Sequence, residues 1–196
     1  MTSRYPNLFL AGAPKCGTTS LFDWLAQHPA IYEPVTKEPL LFREGLSISH
    51  SVSEEDRISI YRDWQNEPYA LEGTTHNFYS HTAAREIKAA SPDAKIIMTL
   101  RDPAGATHSM YYELLFSGAE HLETIEQAIA AEEERARNLV TIRRGIAETR
   151  LYSRVYAYRD NISRYLDVFG RDRVHLVLLD DMKSDPQGVL ARIFDE

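Results

Sequence analysis

A strand that breaks into a helix across a glycine-flanked loop limits what this chain can fold into more than any other stretch. It lies between Asn7 and His28 and reads NLFLAGAPKCGTTSLFDWLAQH. Leu8-Phe9-Leu10-Ala11 is a short apolar run suited to a buried parallel strand, while Leu21, Phe22, Trp24 and Leu25 recur at helical spacing from Thr18 onward. Between them, Gly12 and Gly17 flank Ala13-Pro14-Lys15-Cys16 and let the main chain approach a ligand closely. Unpaired N–H groups and the positive end of the helix dipole converge on such a loop. Lys15 adds a point charge, and Thr18 and Thr19 add hydroxyl donors, so the stretch reads as a phosphate cradle.

The loop keeps the two glycines of a Walker A motif at their spacing, but Thr18 stands where the motif has its lysine, and Lys15 sits inside the loop. The pattern A-P-K-C-G-T-T-S-L resembles instead the 5′-phosphosulfate loop of sulfotransferases that use 3′-phosphoadenosine 5′-phosphosulfate (PAPS), nearest in pattern to the heparan sulfate and glycan branch and its bacterial relatives. That resemblance implies that Lys15, Cys16, Gly17, Thr18 and Thr19 surround the 5′ end of the donor, with Lys15 stabilising the bridging oxygen as the bond breaks.

Composition sets the outer bounds. The 196 residues are 43% hydrophobic and 26% charged, the mix of a folded globular protein. A formal net charge of −7 argues against a nucleic-acid partner. It leaves room for a local positive cleft built from Arg4, Lys15, Lys37, Arg101 and Arg143-Arg144. No apolar run reaches membrane-spanning length, and MTSRYPNLFL lacks the zones of a signal peptide, so the cytosol is the expected compartment. The single cysteine agrees with it, and reads as a small residue tolerated in the loop rather than a nucleophile.

Ala30 to Glu33 reads as a short second strand, followed by Lys37-Glu38-Pro39-Leu40-Leu41-Phe42. By itself this is a loop with an ion pair. Under the resemblance it matches the family's K-E-P-x-x-F segment, which implies that Glu38 is the general base. Residues 43–55 form a polar surface loop expected to border the acceptor pocket, and Ser53 caps a helix from Glu54 to Trp64. Tyr69 to His76 reads as a strand entering a loop. The heparan-type enzymes carry E-K-T-P there, with the lysine in the active site, and here Gly73 stands in its place. His76 is the second candidate base, by analogy with the histidine of the small-molecule branch; an exposed loop histidine is the alternative.

A helix is expected from Ser80 to Ala90, and then Ala94 to Leu100 reads as a central strand with Arg101 emerging at its carboxyl end, where open parallel sheets place ligands. Arg101 alone is an ordinary strand-end charge. The joint pattern I-I-M-T-L-R-D-P and A-x-x-S-x-Y resembles the family's 3′-phosphate site, which implies that Arg101 and Ser109, on a helix from Gly105 to Phe116, grip that phosphate.

Further on, Ile125 to Arg144 predicts one long amphipathic helix with Glu132-Glu133-Glu134 on a solvated face, and Leu151 to Phe169 a second, stopped by Gly170. Tyr152 is a core residue or a low-ranking ligand contact. Arg173 to Asp180 reads as a last buried strand, and Gln187 to Glu196 as a last helix. Helices thus alternate with about five strands. The prediction is one α/β domain over residues 1–196, three layers with a central, mostly parallel sheet and helices on both faces, in a P-loop-like nucleotide-binding topology. The resemblance also implies a further basic, glycine-containing segment that closes over the adenine; its absence from these 196 residues predicts a less enclosed donor.

The expected activity is sulfuryl transfer from PAPS to a hydroxyl or amine of a glycan or small molecule, with adenosine 3′,5′-bisphosphate as product. No cluster has metal-ligand spacing, and no metal is expected. The rival readings are a nucleotide-binding protein without catalysis and, with the Walker lysine missing, a P-loop kinase.

Overall fold

Alternate side chains of Leu8–Gly12 face opposite ways, and the rest of the fold follows from that division. Leu8 and Leu10 enter one apolar core, Phe9 and Ala11 another, as the two-residue period of a strand covered on both faces requires. The computed structural model describes residues 5–48, 52–139 and 145–195. Its strands are β1 (Leu8–Gly12), β2 (Ile31–Tyr32), β3 (Tyr69–Glu72), β4 (Lys95–Leu100) and β5 (Val174–Leu178). They form a five-stranded sheet in the order β2-β3-β1-β4-β5, with every pair parallel. Its helices are α1 (Thr18–Ala26), α2 (Glu54–Ile58), α3 (Ala83–Ala90), α4 (Pro103–Phe116), α5 (Ile125–Ala130), α6 (Glu132–Arg137), α7 (Tyr152–Val155), α8 (Tyr158–Phe169), α9 (Leu179–Ser184) and α10 (Pro186–Asp195).

On one face, Leu21, Phe22 and Leu25 of α1 pack with Leu10, Leu71, Ile97 and Val177, and Met182 and Val189 of α9 and α10 complete that core. Each of the three α1 side chains contributes about 2 kcal/mol by leaving water. On the other face, Ala83, Ala84 and Ile87 of α3, Met110 of α4 and Tyr165 of α8 cover Phe9, Ile96 and Met98. Three layers result, as the sequence predicts.

Four local expectations need correction. The segment expected as one helix from Ile125 to Arg144 is two short ones, α5 and α6, because Glu132 turns inward to accept from the backbone N–H of Ser153 at 3.0 Å and from its hydroxyl. Glu132 is buried, so the triple glutamate is not all solvated face; residues 140–144 lie outside the described residues. The helix expected from Leu151 to Phe169 breaks between α7 and α8, where Asn161 Nδ2 donates to the carbonyls of Arg154 and Val155 at 3.1 and 3.0 Å. β5 is an edge strand with Leu176 and Leu178 exposed, and the chain turns into α9 at Leu179. The helix expected to run to Trp64 is α2 followed by a 3-10 turn, although Ser53 does cap it, accepting from Asp56 N at 3.0 Å.

Because all five strands run the same way, the segments leaving β1, β2, β3 and β4 emerge along one edge of the sheet. The candidate residues are on those segments.

Candidate active site

The loop after β1 is shaped by its two glycines. Gly12 has φ 136°, and a Cβ there would lie 2.6 Å from Phe78 Cβ; Gly17, at φ 84°, would meet Leu179 at 2.6 Å. No other residue type keeps this path. Gly17 is the N-cap of α1 and no side chain caps the helix, which has no acidic residue in its first turn. The free N–H groups and the helix dipole therefore face the cleft above, the arrangement that favours an anion. From the far side, Arg101 Nη1 donates to Lys15 O at 3.4 Å, Tyr156 donates to Pro14 O at 3.2 Å, and Tyr158 donates to Arg101 O at 2.8 Å.

This loop forms the floor of a cleft of about 510 Å³. Lys15, Thr18, Thr19, Glu38 and His76 all line it, together with Lys37 and Thr75, and Met110, Leu114 and Ile146 supply an apolar wall. Cys16 does not: it is buried beneath the loop, its thiol 3.5 Å from the Tyr158 hydroxyl, and burial pushes the thiol pKa up. Its side chain packs under the loop and is not among the groups facing the cleft, where the resemblance would put it beside the 5′ end of the donor.

Glu38 sits with φ 60°, in the left-handed region. The Glu38 loop is held from below: Leu40 N donates to the Thr74 hydroxyl at 3.1 Å, and Arg57 donates to the Leu40 and Leu41 carbonyls. Thr74 is itself anchored through its backbone N–H and hydroxyl on the fully buried Glu72 carboxyl, which also accepts from Asn77 Nδ2 at 3.1 Å. Burial raises the Glu72 pKa to about 7, against those hydrogen bonds. Sequence reading passed over Glu72, since a carboxylate at a strand end looks like a surface charge.

Around Glu38 stand three polar side chains. Thr75 Oγ1 is 3.3 Å from Oε1, Lys37 Nζ 3.8 Å from the same oxygen, and His76 Nε2 3.7 Å from Oε2. Burial pushes the Glu38 pKa up, opposed by Lys37 and by the Thr75 hydroxyl. His76, rather than an exposed loop residue, is mostly buried, with Nδ1 2.6 Å from the Tyr79 hydroxyl, and burial holds its pKa at about 4.

Lys37 answers the question raised by Gly73. A Cβ at Gly73 would fall 2.6 Å from the Phe22 ring and 3.2 Å from the Lys37 side chain, so the space beyond Gly73 is already filled. Lys37 Nζ lies 3.1 Å from the Thr19 hydroxyl and 5.8 Å from the centre of the Phe22 ring. A second cation thus reaches the cleft from a different position. Glu113 was not anticipated either. It projects from α4 into the cleft and bonds Lys15 Nζ; it is one turn beyond Ser109, the signal that could have found it.

Arg101 and Ser109 stand apart from this cleft lining. A Cβ on Gly105 would lie 3.3 Å from the Arg101 guanidinium, and Ser109, half-buried, is one turn further along the same side of α4. Arg4, Arg143 and Arg144 lie outside the described residues. The 43–48 segment does not line the cleft but backs its wall: Ser47 N donates to Glu148 at 3.0 Å, and Ile48 bridges Ile146. Tyr152 is core, its hydroxyl donating to the buried Glu120 at 2.9 Å. Among the described residues no group of three or more His, Cys, Asp or Glu is placed to hold a metal, and no helix is long and apolar enough to cross a membrane.

A family model described as the sulfotransferase domain matches residues 5–195. The chain belongs to the sulfotransferase domain family. It is 25% identical to heparan sulfate glucosamine 3-O-sulfotransferase 6 of Homo sapiens over 201 residues, 98% of this chain and 52% of that protein. With the bifunctional heparan sulfate N-deacetylase/N-sulfotransferase 1 of Mus musculus it shares 30% identity over 122 residues, 55% of this chain and 13% of the relative. The chain therefore spans about half the length of the first of these curated relatives, and less of the second. Among solved structures, a sulfotransferase from Alicyclobacillus acidocaldarius superposes with a TM-score of 0.80 at 31% identity, covering 94% of this chain and 77% of that one. In this sulfotransferase domain, then, the loops after β1, β2 and β3 bring Lys15, Glu38 and His76 to one cleft, and the end of β4 brings Arg101 beneath the first loop.

Proposed function

We propose that the cleft transfers a sulfuryl group from PAPS to a hydroxyl or amine of a carbohydrate or small-molecule acceptor. The observation that carries this reading is the convergence of Lys15, Glu38 and His76, from three separate loops, on one cleft floored by an uncapped helix N-terminus. The residues suit a donor with anions at both ends. Gly12 and Gly17 leave the backbone open to a 5′ anion, and Arg101 with Ser109 would hold the 3′ phosphate.

PAPS, when bound, supplies the activated sulfuryl group and a stable leaving group. The chain's own contribution is placement and charge. Lys15 would stabilise negative charge on the bridging oxygen, with the N–H groups of Thr18 and Thr19 beside it. Lys37, bonded to Thr19, would add charge on the acceptor side of that oxygen. Glu38 would accept the acceptor's proton, and burial favours it for this role by raising its pKa toward the working range. The mixed wall of Met110, Leu114 and Ile146 opposite polar Thr75 and Glu38 suits an acceptor with both apolar and hydroxyl-bearing surfaces.

The test is transfer of labelled sulfate from PAPS to a panel of glycans and phenols by the parent chain and by Glu38→Gln. Turnover in the parent, falling about 100-fold or more in the variant with bisphosphate binding unchanged, supports the reading. Bisphosphate binding without turnover by the parent on any acceptor would favour a nucleotide-binding role instead.

A further inference from the structure

His76 and Glu38 face each other across 3.7 Å, and only one of them can be the proton acceptor. The geometry around Tyr79 decides between them. The Tyr79 ring is buried, and its hydroxyl has a hydrogen-bond partner in His76 Nδ1 at 2.6 Å. Two arrangements of protons are open to this contact. If Nδ1 carries the hydrogen, the Tyr79 O–H has to find another acceptor inside the protein, and the bare Nε2 lone pair faces the Glu38 carboxylate. Both features cost free energy. If Tyr79 donates to Nδ1, one hydrogen bond satisfies both groups and Nε2–H points at Glu38 Oε2. A neutral tyrosine is the natural donor here, since burial together with the nearby Glu148 and Glu38 charges pushes its pKa well above the ordinary value.

We propose that Tyr79 is a positioning residue that locks His76 in the Nε2–H tautomer, so that His76 presents an N–H rather than a lone pair toward Glu38, and Glu38 alone takes the acceptor's proton. This rests on the sulfotransfer reading for its catalytic consequence, though not for the tautomer itself. In the transfer step the acceptor O–H bond breaks and its proton passes to a Glu38 carboxylate oxygen. The freed oxygen pair forms the new O–S bond, and the S–O bond to the 5′-phosphate breaks, its electron pair leaving with the bisphosphate. His76 keeps its proton throughout. With that N–H 3.7 Å from Oε2 and the Thr75 hydroxyl donating to Oε1, the carboxylate has donors on both sides and its remaining lone pairs are left for the acceptor.

The tautomer is readable directly. In a chain labelled with nitrogen-15 at histidine, long-range nitrogen–proton spectra distinguish a protonated ring nitrogen from a bare one, and His76→Gln identifies the signal to follow. A protonated Nε2 and a bare Nδ1 at pH 7 are the expected result. A protonated Nδ1, or protons on both nitrogens, would overturn the proposal. In Tyr79→Phe, the Nδ1 signal should move toward a mixture of tautomers, and kcat should fall about tenfold with KM unchanged; an unchanged kcat would remove the positioning role. The parent spectrum alone settles the tautomer, so a poorly folding variant does not block the test. Because no turnover is needed for it, failure of sulfuryl transfer and failure of the tautomer assignment are separate outcomes.

Discussion

Lys15 and Glu38 share a backbone conformation that side chains rarely adopt, with φ of 61° and 60°, and Leu40 follows at 55°. Each costs roughly 1–3 kcal/mol, so the surrounding contacts must over-determine them. For Glu38 those contacts are Thr74 and Arg57, which grip Leu40 two residues away. Lys15 is engaged by the Glu113 carboxylate, which under the proposed function would compete with an incoming 5′ anion. Glu113→Gln should therefore bind adenosine 3′,5′-bisphosphate several-fold more tightly than the parent in calorimetry, and equal or weaker binding would contradict that role. Glu72 and His76 give the fold opposing pH dependences. Glu72 has a folded pKa of about 7, above its ordinary 4.5, so the folded state holds the extra proton and stability falls as pH rises from 4.5 to 7. His76, at about 4 against an ordinary 6.5, works the other way, and its contribution is lost as pH falls from 6.5 to 4. Each effect is worth about 3 kcal/mol at about 1.4 kcal/mol per pH unit. Urea unfolding of Glu72→Gln should show stability climbing between pH 4 and 6.5. His76→Gln should show it declining between pH 4.5 and 7; identical slopes in both variants and the parent would contradict the burial account.

At the scale of elements, the loop after β1 was legible because its signals are local: a strand run, two glycines and a helix start within a few residues. The elements that brace it were not. Tyr156 and Tyr158 reach Pro14 and Arg101 only because the chain breaks between α7 and α8, and Tyr156 is 142 positions from Pro14. Helical periodicity runs smoothly through that break, so nothing local marks it. Glu132 misled for the same reason, being one of three consecutive glutamates until Ser153 is brought against it. Glu120 is the strongest such case. Its side chain is fully buried, bonded to Arg135 by two hydrogen bonds of 2.7 Å, to Tyr152 at 2.9 Å and to the backbone N–H groups of His121 and Leu122. Burial alone would raise its pKa, yet Arg135 and these donors outweigh it and hold the group at about 2. This network joins the end of α4 to α6 and α7. Glu120→Ala, which strands Arg135 and the Tyr152 hydroxyl, should lower stability in urea unfolding by about 3–5 kcal/mol. A loss below 1 kcal/mol would mean that the network relaxes onto water.

For the molecule as a whole, a parallel sheet explains why Lys15, Glu38 and His76, the latter two nominated only through the family resemblance, meet at one edge although they come from separate stretches of sequence. All five strands were readable as apolar runs, and parallel order then requires their carboxyl ends to share an edge. What sequence could not supply was the filling of space between those ends. Lys37 lies where a side chain at Gly73 would otherwise extend, Glu113 comes across from α4, and Tyr79 supports His76 from below. Such contacts depend on how loops from different strands pack, which no periodicity encodes. The central claim is that this edge of the sheet binds a nucleotide bearing anions at both 5′ and 3′ ends. Calorimetric titration of adenosine 3′,5′-bisphosphate, with ADP and magnesium-ATP beside it and Arg101→Ala as the variant, addresses that claim most directly. The account predicts binding of the bisphosphate in preference to both controls, weakened at least tenfold in Arg101→Ala. Tighter binding of magnesium-ATP, or bisphosphate binding indifferent to Arg101, would contradict it.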